Sequence, residues 1–94
     1  MATPPRHRLE FRRQQLHRQI TAALHLLQGS LHQNPSQRGY HLTTKVHQKT
    51  VTKYVRRDLV PQVRAMTRNH LIVRQLLGRL SEVNRQLLQL PPED

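Results

Sequence analysis

The sequence predicts an α+β fold in which an N-terminal helix, a two-stranded antiparallel β-hairpin and a long C-terminal helix with a heptad seam follow one another. Apolar residues recur at helical spacing near both ends of the chain. Between them, threonine, valine and tyrosine alternate with other residues, as in half-buried strands. With 94 residues, the chain has the length of a single small domain.

The first helix is predicted for residues 6–28, after a disordered lead at residues 1–5. The apolar positions with helical spacing are Leu9, Leu16, Ile20, Ala23, Leu27 and Leu31. Pro4 and Pro5 suit the start of a helix, and Gly29 is a typical stop. Residues 29–38 are rich in turn formers, so we expect a loop there.

The hairpin is predicted for residues 39–57. A turn at His47-Gln48 pairs Val46 with Lys49, Thr44 with Val51, Leu42 with Lys53 and Tyr40 with Val55. The face expected to pack on the helices carries Tyr40, Leu42, Thr44, Val46, Val51 and Val55. The face expected to meet solvent or ligand carries His41, Thr43, Lys45, Thr50, Thr52, Tyr54 and Arg56. The turn lacks the favoured Asn-Gly pair, so a longer or bulged loop is an alternative.

The second helix is predicted for residues 58–90, with Asp58 as N-cap and a short tail at residues 91–94. Its heptad seam consists of Leu59, Val63, Met66, His70, Val73, Leu77, Leu80, Asn84 and Leu87. Leu76, Val83 and Leu90 widen the seam on one side. His70 and Asn84 interrupt it, either to fix the register or because they lie near its solvent edge.

The second helix exceeds the first in length, so part of its seam needs another cover. We therefore expect Leu77, Leu80, Asn84 and Leu87 to contact a second copy in a homodimer, or a subunit of a larger complex.

Composition argues against several classes of chemistry. Without cysteine, disulfides and thiolate metal sites are excluded. The five acids are scattered, and the three glycines are isolated, so neither a carboxylate-based active site nor a phosphate-binding loop is predicted. The protein is therefore not expected to be an enzyme or to need a cofactor.

Histidines and apolar runs complete these exclusions. Two histidine pairs, His25 with His32 and His41 with His47, raise the question of zinc. The alternative, which we favour, is that the histidines lie on a solvated basic surface, and no metal site is predicted.

Since no apolar run approaches the ~20 residues that span a bilayer, we expect a cytoplasmic protein without a membrane partner.

The charge balance gives the main functional signal. The chain holds 16 Lys and Arg against five Asp and Glu, for a net charge of +11. A polyanion would relieve this self-repulsion, so the sequence predicts binding to nucleic acid, either DNA or RNA. The predicted phosphate contacts are Arg38, Lys45, Lys49, Lys53, Arg56 and Arg57, with a second strip of Arg12, Arg13 and Arg18 on the first helix. The alternative is a solvated face whose lysines protect an exposed sheet edge.

The segment from Arg38 to Leu90 also resembles a family of small, functionally uncharacterised prokaryotic proteins. The features that carry the resemblance are Gly-Tyr-x-Leu at residues 39–42, one residue shorter than the Gly-x-Tyr-x-Leu strand of the family, Lys-Thr after the turn, a Tyr-Val strand end, a long helix, and a Leu-Ser-Glu-x-Asn segment at residues 80–84. Family members commonly carry a Cys-rich loop before the Gly-x-Tyr strand. Here that loop, residues 32–38, holds no cysteine, so no metal role carries over.

Genes of that family commonly lie near transposase genes, so the resemblance implies an accessory role in a mobile element. Together with the charge, this predicts a non-catalytic nucleic-acid-binding accessory protein that contacts the phosphate backbone through a basic hairpin. The rival prediction is a helical protein-interaction adaptor that docks its leucine seam into a larger complex.

Overall fold

The computed structural model describes residues 5–33 and 39–92. The elements are α1 (Pro5–Ala22), β1 (Ser30–Gln33), β2 (Tyr40–Val46), β3 (Lys49–Val55), a 3-10 turn (Arg57–Leu59) and α2 (Val60–Gln89). The predicted α+β class is confirmed, but the antiparallel sheet has three strands, in the order β1-β2-β3, and not two. Most of the predicted disordered lead, the end of the tail, and Arg38 lie outside the described residues.

The chain divides into two compact units. Unit 1 comprises Met1–Leu24 and Ile72–Asp94, and unit 2 comprises His25–Leu71. Helix α2 supplies its first turns to unit 2 and the remainder to unit 1.

Helix α1 ends at Ala22, well before the predicted end at residue 28. The reason lies in Leu27 and Leu31, which continue the helical spacing of α1 but belong to the core of unit 2. There the Leu27 N–H donates to the Met66 carbonyl at 3.1 Å, and the Asn69 amide donates to the His25 carbonyl at 2.8 Å. Both bonds anchor the segment after α1 on the first half of α2.

The predicted loop at residues 29–38 contains strand β1, which pairs antiparallel with β2. Gly29 opens this strand with φ +152, and a Cβ there would lie 2.7 Å from Thr44 Cγ2 and 2.9 Å from the Thr43 carbonyl. Gly29 is therefore not a helix stop. Its missing side chain allows the chain to approach β2 closely.

The hairpin has the predicted register, from Tyr40 opposite Val55 to Val46 opposite Lys49. Its turn consists of His47 and Gln48 alone, with φ values of 51° and 67°. Two positive φ values in a two-residue loop match the twist of the flanking strands, so the longer or bulged loop does not form.

The core of unit 2 lies on one face of the sheet. Val55, Val60 and Val63 are buried there, with Leu27, Leu31, Tyr40, Leu42 and Leu59 packed against them. This core covers the sheet near β1, whereas Val46 at the far end of the hairpin is 49% exposed. At the base of the hairpin, the core thus covers the face that was predicted to pack on the helices. Near the turn, the same face is exposed.

Unit 1 is an antiparallel helix pair. Arg6 near the start of α1 donates to the Pro91 carbonyl, just beyond the end of α2, at 2.8 Å. Leu16, Leu76 and Val83 form its buried centre. The partly buried residues around this centre are Leu9, Ile20, Leu80 and Leu87.

The buried line of α2 in unit 1 follows Leu76 and Val83, where the sequence pattern favoured Leu77 and Asn84. Leu77 is 50% exposed and Asn84 is exposed. Leu76 and Val83 are seven residues apart, and so are Leu77 and Asn84, so the heptad period alone does not distinguish the two registers. Among residues 5–33 and 39–92, no helix has both the length and the apolarity that crossing a bilayer requires.

Candidate nucleic-acid interface

The sheet of unit 2 has a polar face on the side away from its core. Strand alternation and the register assign eight residues to this face: Ser30, His32, His41, Thr43, Lys45, Thr50, Thr52 and Tyr54. Six of the eight are exposed, and only His41 and Thr43 in the central strand are half-buried. None of the eight has an aliphatic side chain, so the face offers hydroxyl, imidazole, phenol and ammonium groups to a ligand.

Hydrogen bonds connect this polar face across all three strands. His32 Nε2 lies 2.7 Å from Thr43 Oγ1, which in turn lies 3.3 Å from Thr52 Oγ1. Each of these groups can donate or accept, depending on the histidine tautomer and the hydroxyl rotor. The links hold three side chains in place without consuming all of their hydrogen-bonding capacity.

An aromatic row lies beside that hydrogen-bonded chain. His32, His41 and Tyr54 are directly opposite one another in the register. The two imidazole rings stack with centroids 6.1 Å apart, and Tyr54 meets His41 edge-on at 5.9 Å. The ring of Tyr54 also lies against Gly39, where a Cβ would come within 2.7 Å of Tyr54 Cε2.

The central ring of this row carries an unsatisfied nitrogen. His41 Nδ1 is buried and has no hydrogen-bond partner in the part of the chain that the structure describes. This imidazole lies between His32 and Tyr54 in the aromatic row.

The predicted hairpin cations are divided between the two faces of the sheet. Lys45 belongs to the polar face, whereas Lys49 and Lys53 project from the same side of the sheet as Val46 and Leu42. All three lysines are exposed, although Lys53 is opposite Leu42, which packs in the unit 2 core. Hence the lysines lie on both faces of the hairpin instead of lining one face.

The two arginines after β3 differ in surroundings. Arg56 Nη2 lies 3.4 Å from an Asp58 carboxylate oxygen, and both side chains are more than two-thirds exposed. Such an exposed ion pair contributes little, so Arg56 remains available to another anion. Arg57 lines an open cavity of about 390 Å³ with Gln33, Gly39, Tyr40, Tyr54 and Val55.

The arginines of α1 do not form one strip. With about 100° of rotation per residue, Arg12, Arg13 and Arg18 point in three different directions. Arg12 shares with Arg79 the lining of two open clefts of about 160 and 340 Å³ in unit 1. Arg13 is half-buried and Arg18 is exposed.

The four residues of the predicted partner seam also separate. Leu80 and Leu87 pack against the core of unit 1, whereas Leu77 and Asn84 are exposed. Leu88, outside the predicted seam, is 87% exposed. Leu77 and Leu88 are thus exposed on one side of α2, three helical turns apart, with Ser81 and Asn84 between them.

The histidine pairs considered for zinc are not the ones that the fold brings together. His32 faces His41, and neither His25 with His32 nor His41 with His47 forms a ring contact among the described residues. In that part of the chain, no three His, Asp or Glu side chains converge as metal ligands would.

Sequence reasoning missed His32 because β1 was not predicted. The only local signal was the alternation of Leu31 with its polar neighbours, and an alternation over four residues does not distinguish a strand from a loop.

Comparison with known proteins finds no matching protein-family model, no matching curated protein and no matching solved structure. The resemblance to the transposase-associated family stays a prediction.

Proposed function

We propose that the protein is a non-catalytic nucleic-acid-binding accessory protein and that the sheet of unit 2 makes the contact. One observation carries the proposal. Unit 2 contains eight Lys and Arg against one acid, a net charge of +7, and its sheet presents an exposed polar face beside the exposed lysines. Hydroxyls and cations are the side chains that bind phosphate oxygens most often.

Each residue has a defined task in this proposal. Lys45, Lys49, Lys53, Arg56 and Arg57 bind phosphates, while the threonines of the polar face donate hydrogen bonds to phosphate, sugar or base. The arginines of α1, which are dispersed around the helix, contribute a lesser and less ordered attraction. The accessory role and the link to mobile elements rest on the family resemblance alone.

A charge-reversal experiment tests the proposal with a matched control. The sheet variant changes Lys45, Lys53 and Arg56 to Glu, and the control changes Arg12, Arg13 and Arg18 to Glu, so both lose the same net charge. Each phosphate contact accounts for about one decade of affinity near 0.1 M salt, so the sheet variant should bind at least about 100-fold more weakly. The control should lose less than about fivefold, because it affects only the overall field.

Fluorescence anisotropy with labelled duplex DNA, single-stranded DNA and RNA hairpins gives the affinities, and circular dichroism checks folding. If both variants lose affinity equally, net charge alone is responsible and the sheet is not the site. If the folded sheet variant binds as tightly as the parent, the proposal is wrong.

A helical adaptor is the second candidate, and the exposure of Leu77 and Leu88 on one side of α2 favours it. A partner that covered these two side chains would gain free energy by removing their apolar surface from water. Sedimentation velocity on a Leu77→Ser, Leu88→Ser variant tests this candidate as a homodimer. A concentration-dependent dimer of the parent that the variant abolishes supports it, and a monomeric parent at tens of micromolar excludes self-association.

A further inference from the structure

The hairpin of β2 and β3 extends beyond the end of β1. The last residue pair between β1 and β2 joins Ser30 to Thr43, so residues 44–51 form a two-stranded ribbon, which we call the hairpin tip. Every residue from Lys45 to Thr50 is exposed. Residues 45–50 of the hairpin tip are therefore uncovered on both faces.

The dimensions of the hairpin tip correspond to those of a nucleic-acid groove. Two strands lie about 4.8 Å apart, and three residue pairs extend about 10 Å. The major groove of B-form DNA is about 12 Å wide and 8.5 Å deep, and it admits a two-stranded ribbon with its side chains. The major groove of A-form RNA is too narrow for side chains to read.

The side chains of the hairpin tip also correspond to the chemistry of base edges. Lys45 and Thr50 are opposite each other on the polar face, and Val46 is 49% exposed on the other face. A lysine ammonium donates to guanine O6 and N7, a threonine hydroxyl serves either partner, and the methyl group of threonine contacts the methyl of thymine. Val46 and Lys49 are paired on the opposite face, which in this orientation is turned away from the base edges.

The same segment lacks what a reader of single strands needs. Bases of a single strand are held mainly by stacking on aromatic rings. Residues 44–51 include no Phe, Tyr or Trp. The exposed tyrosine of the sheet, Tyr54, is instead placed near β1, edge-on to His41.

We infer that the nucleic acid bound by this protein is B-form duplex DNA, and that the hairpin tip enters its major groove with Lys45 and Thr50 towards the base edges. This inference rests on the proposed function, because it takes the sheet of unit 2 as the binding surface. It adds the class of nucleic acid and the groove, and it assigns Lys45, one of the proposed phosphate contacts, to the base edges together with Thr50.

The first experiment compares nucleic acids with the full-length protein. The probes are a labelled mixed-sequence DNA duplex, the RNA duplex of the same sequence and the separate DNA strands, at about 0.1 M salt. The DNA duplex should bind at least about tenfold more tightly than either alternative, because only its major groove accepts the ribbon. Equal binding of the RNA duplex or of the single strands would overturn the inference.

The second experiment alters one groove while leaving the phosphates unchanged. Replacing the purines by 7-deazapurines removes the N7 acceptors from the major groove, and affinity should fall about fivefold or more, as expected for one lost base contact. Saturating netropsin, which fills the minor groove, should change affinity less than about twofold. Insensitivity to 7-deazapurines, or displacement by netropsin, would overturn the inference.

Protein variants complete the test. Thr50→Val removes a hydroxyl from the hairpin tip, and Thr67→Val, whose hydroxyl is bonded to the Arg64 carbonyl of its own helix at 3.0 Å, is the matched control. Only Thr50→Val should reduce the difference in affinity between the unmodified duplex and the 7-deazapurine duplex. Binding that is strong but indifferent to nucleic-acid class overturns this inference and leaves the proposed function standing, whereas absence of binding to every probe overturns both.

Discussion

Unit 1 and unit 2 contain 47 residues each, yet they differ in charge and in how they bury apolar surface. Unit 1 packs two helices through leucine, isoleucine and valine side chains and carries a net charge of +4, with eight basic and four acidic residues. Unit 2 packs one face of a sheet on the start of α2 and carries +7.

The difference shows how a small basic chain can combine a helix pair with a sheet that keeps one polar face exposed. In unit 1 the apolar side chains pack one helix on the other. The four acids of this unit partly balance its eight arginines. In unit 2 the strands alternate, so one side of each strand supplies core residues while the other side remains free for polar groups. The exposed polar face and the larger excess of positive charge are therefore found in the unit that contains the sheet.

The largest expected effect concerns the buried line of unit 1. Leu76 is 7% exposed and its neighbour Leu77 is 50% exposed, so two identical substitutions on one helix test which leucine supports the core. Leu76→Ala should lower the free energy of unfolding by about 3 kcal/mol, and Leu77→Ala by less than about 1 kcal/mol. Urea denaturation followed by circular dichroism measures both. A larger loss of unfolding free energy for Leu77→Ala would show that the core follows Leu77, as the sequence pattern predicted.

A second, smaller effect concerns the start of the sheet in unit 2. Gly29→Ala should destabilise the protein by about 1–3 kcal/mol, since its φ of +152 and the Cβ position 2.9 Å from the Thr43 carbonyl both oppose a side chain. Gly78→Ala is the control, because nothing lies within 4 Å of its added Cβ and alanine favours a helix by about 1 kcal/mol. Equal and small effects at both glycines would contradict the close approach of β1 to β2.

The smallest effect is expected at the hairpin turn, and its sign is opposite. Gln48 adopts a φ of 67°, which costs a non-glycine residue about 1 kcal/mol. Gln48→Gly should therefore raise the free energy of unfolding by up to about 1 kcal/mol and raise the thermal midpoint accordingly. His47→Gly, at a φ of 51°, provides a second measurement at the neighbouring position. A loss of stability in both variants would indicate that the turn is not the two-residue type.

The sequence predicted the hairpin register because two constraints agree there. Alternation with period two fixes which residues of β2 and β3 face the core, and a turn at His47-Gln48 then pairs all seven positions. The strand β1 was missed because four residues in a turn-rich segment carry no periodic signal. Its formation depends on pairing with β2, which is a tertiary effect.

The helices show a different limit of sequence reasoning. Leu27 and Leu31 have helical spacing with Ala23, but they pack in the core of unit 2, so the pattern overestimated the length of α1. On α2, adjacent leucines at 76 and 77 satisfy two heptad lines equally. Only the packing of Leu16 against Leu76 and Val83 distinguishes them.

For the candidate site, the sequence indicated the charge of unit 2 but not its arrangement. Lys45, Lys49 and Lys53 are found in the predicted hairpin, on two faces that the spacing already implies. The contacts of His32 with His41 and Thr43 depend on β1 and were not accessible from the pattern.

Strand β3 is an edge strand, and its free backbone edge has a consequence for handling the protein. Along its seven residues, the amide and carbonyl groups that bond to β2 alternate with groups that point away from the sheet. The outward-pointing groups are a template for another strand, and nearby lysines oppose this by mutual repulsion. Concentrated salt would screen that repulsion. Preparations in concentrated salt are therefore best kept dilute, since the ammonium groups beside this edge then no longer keep neighbouring molecules from joining edge to edge.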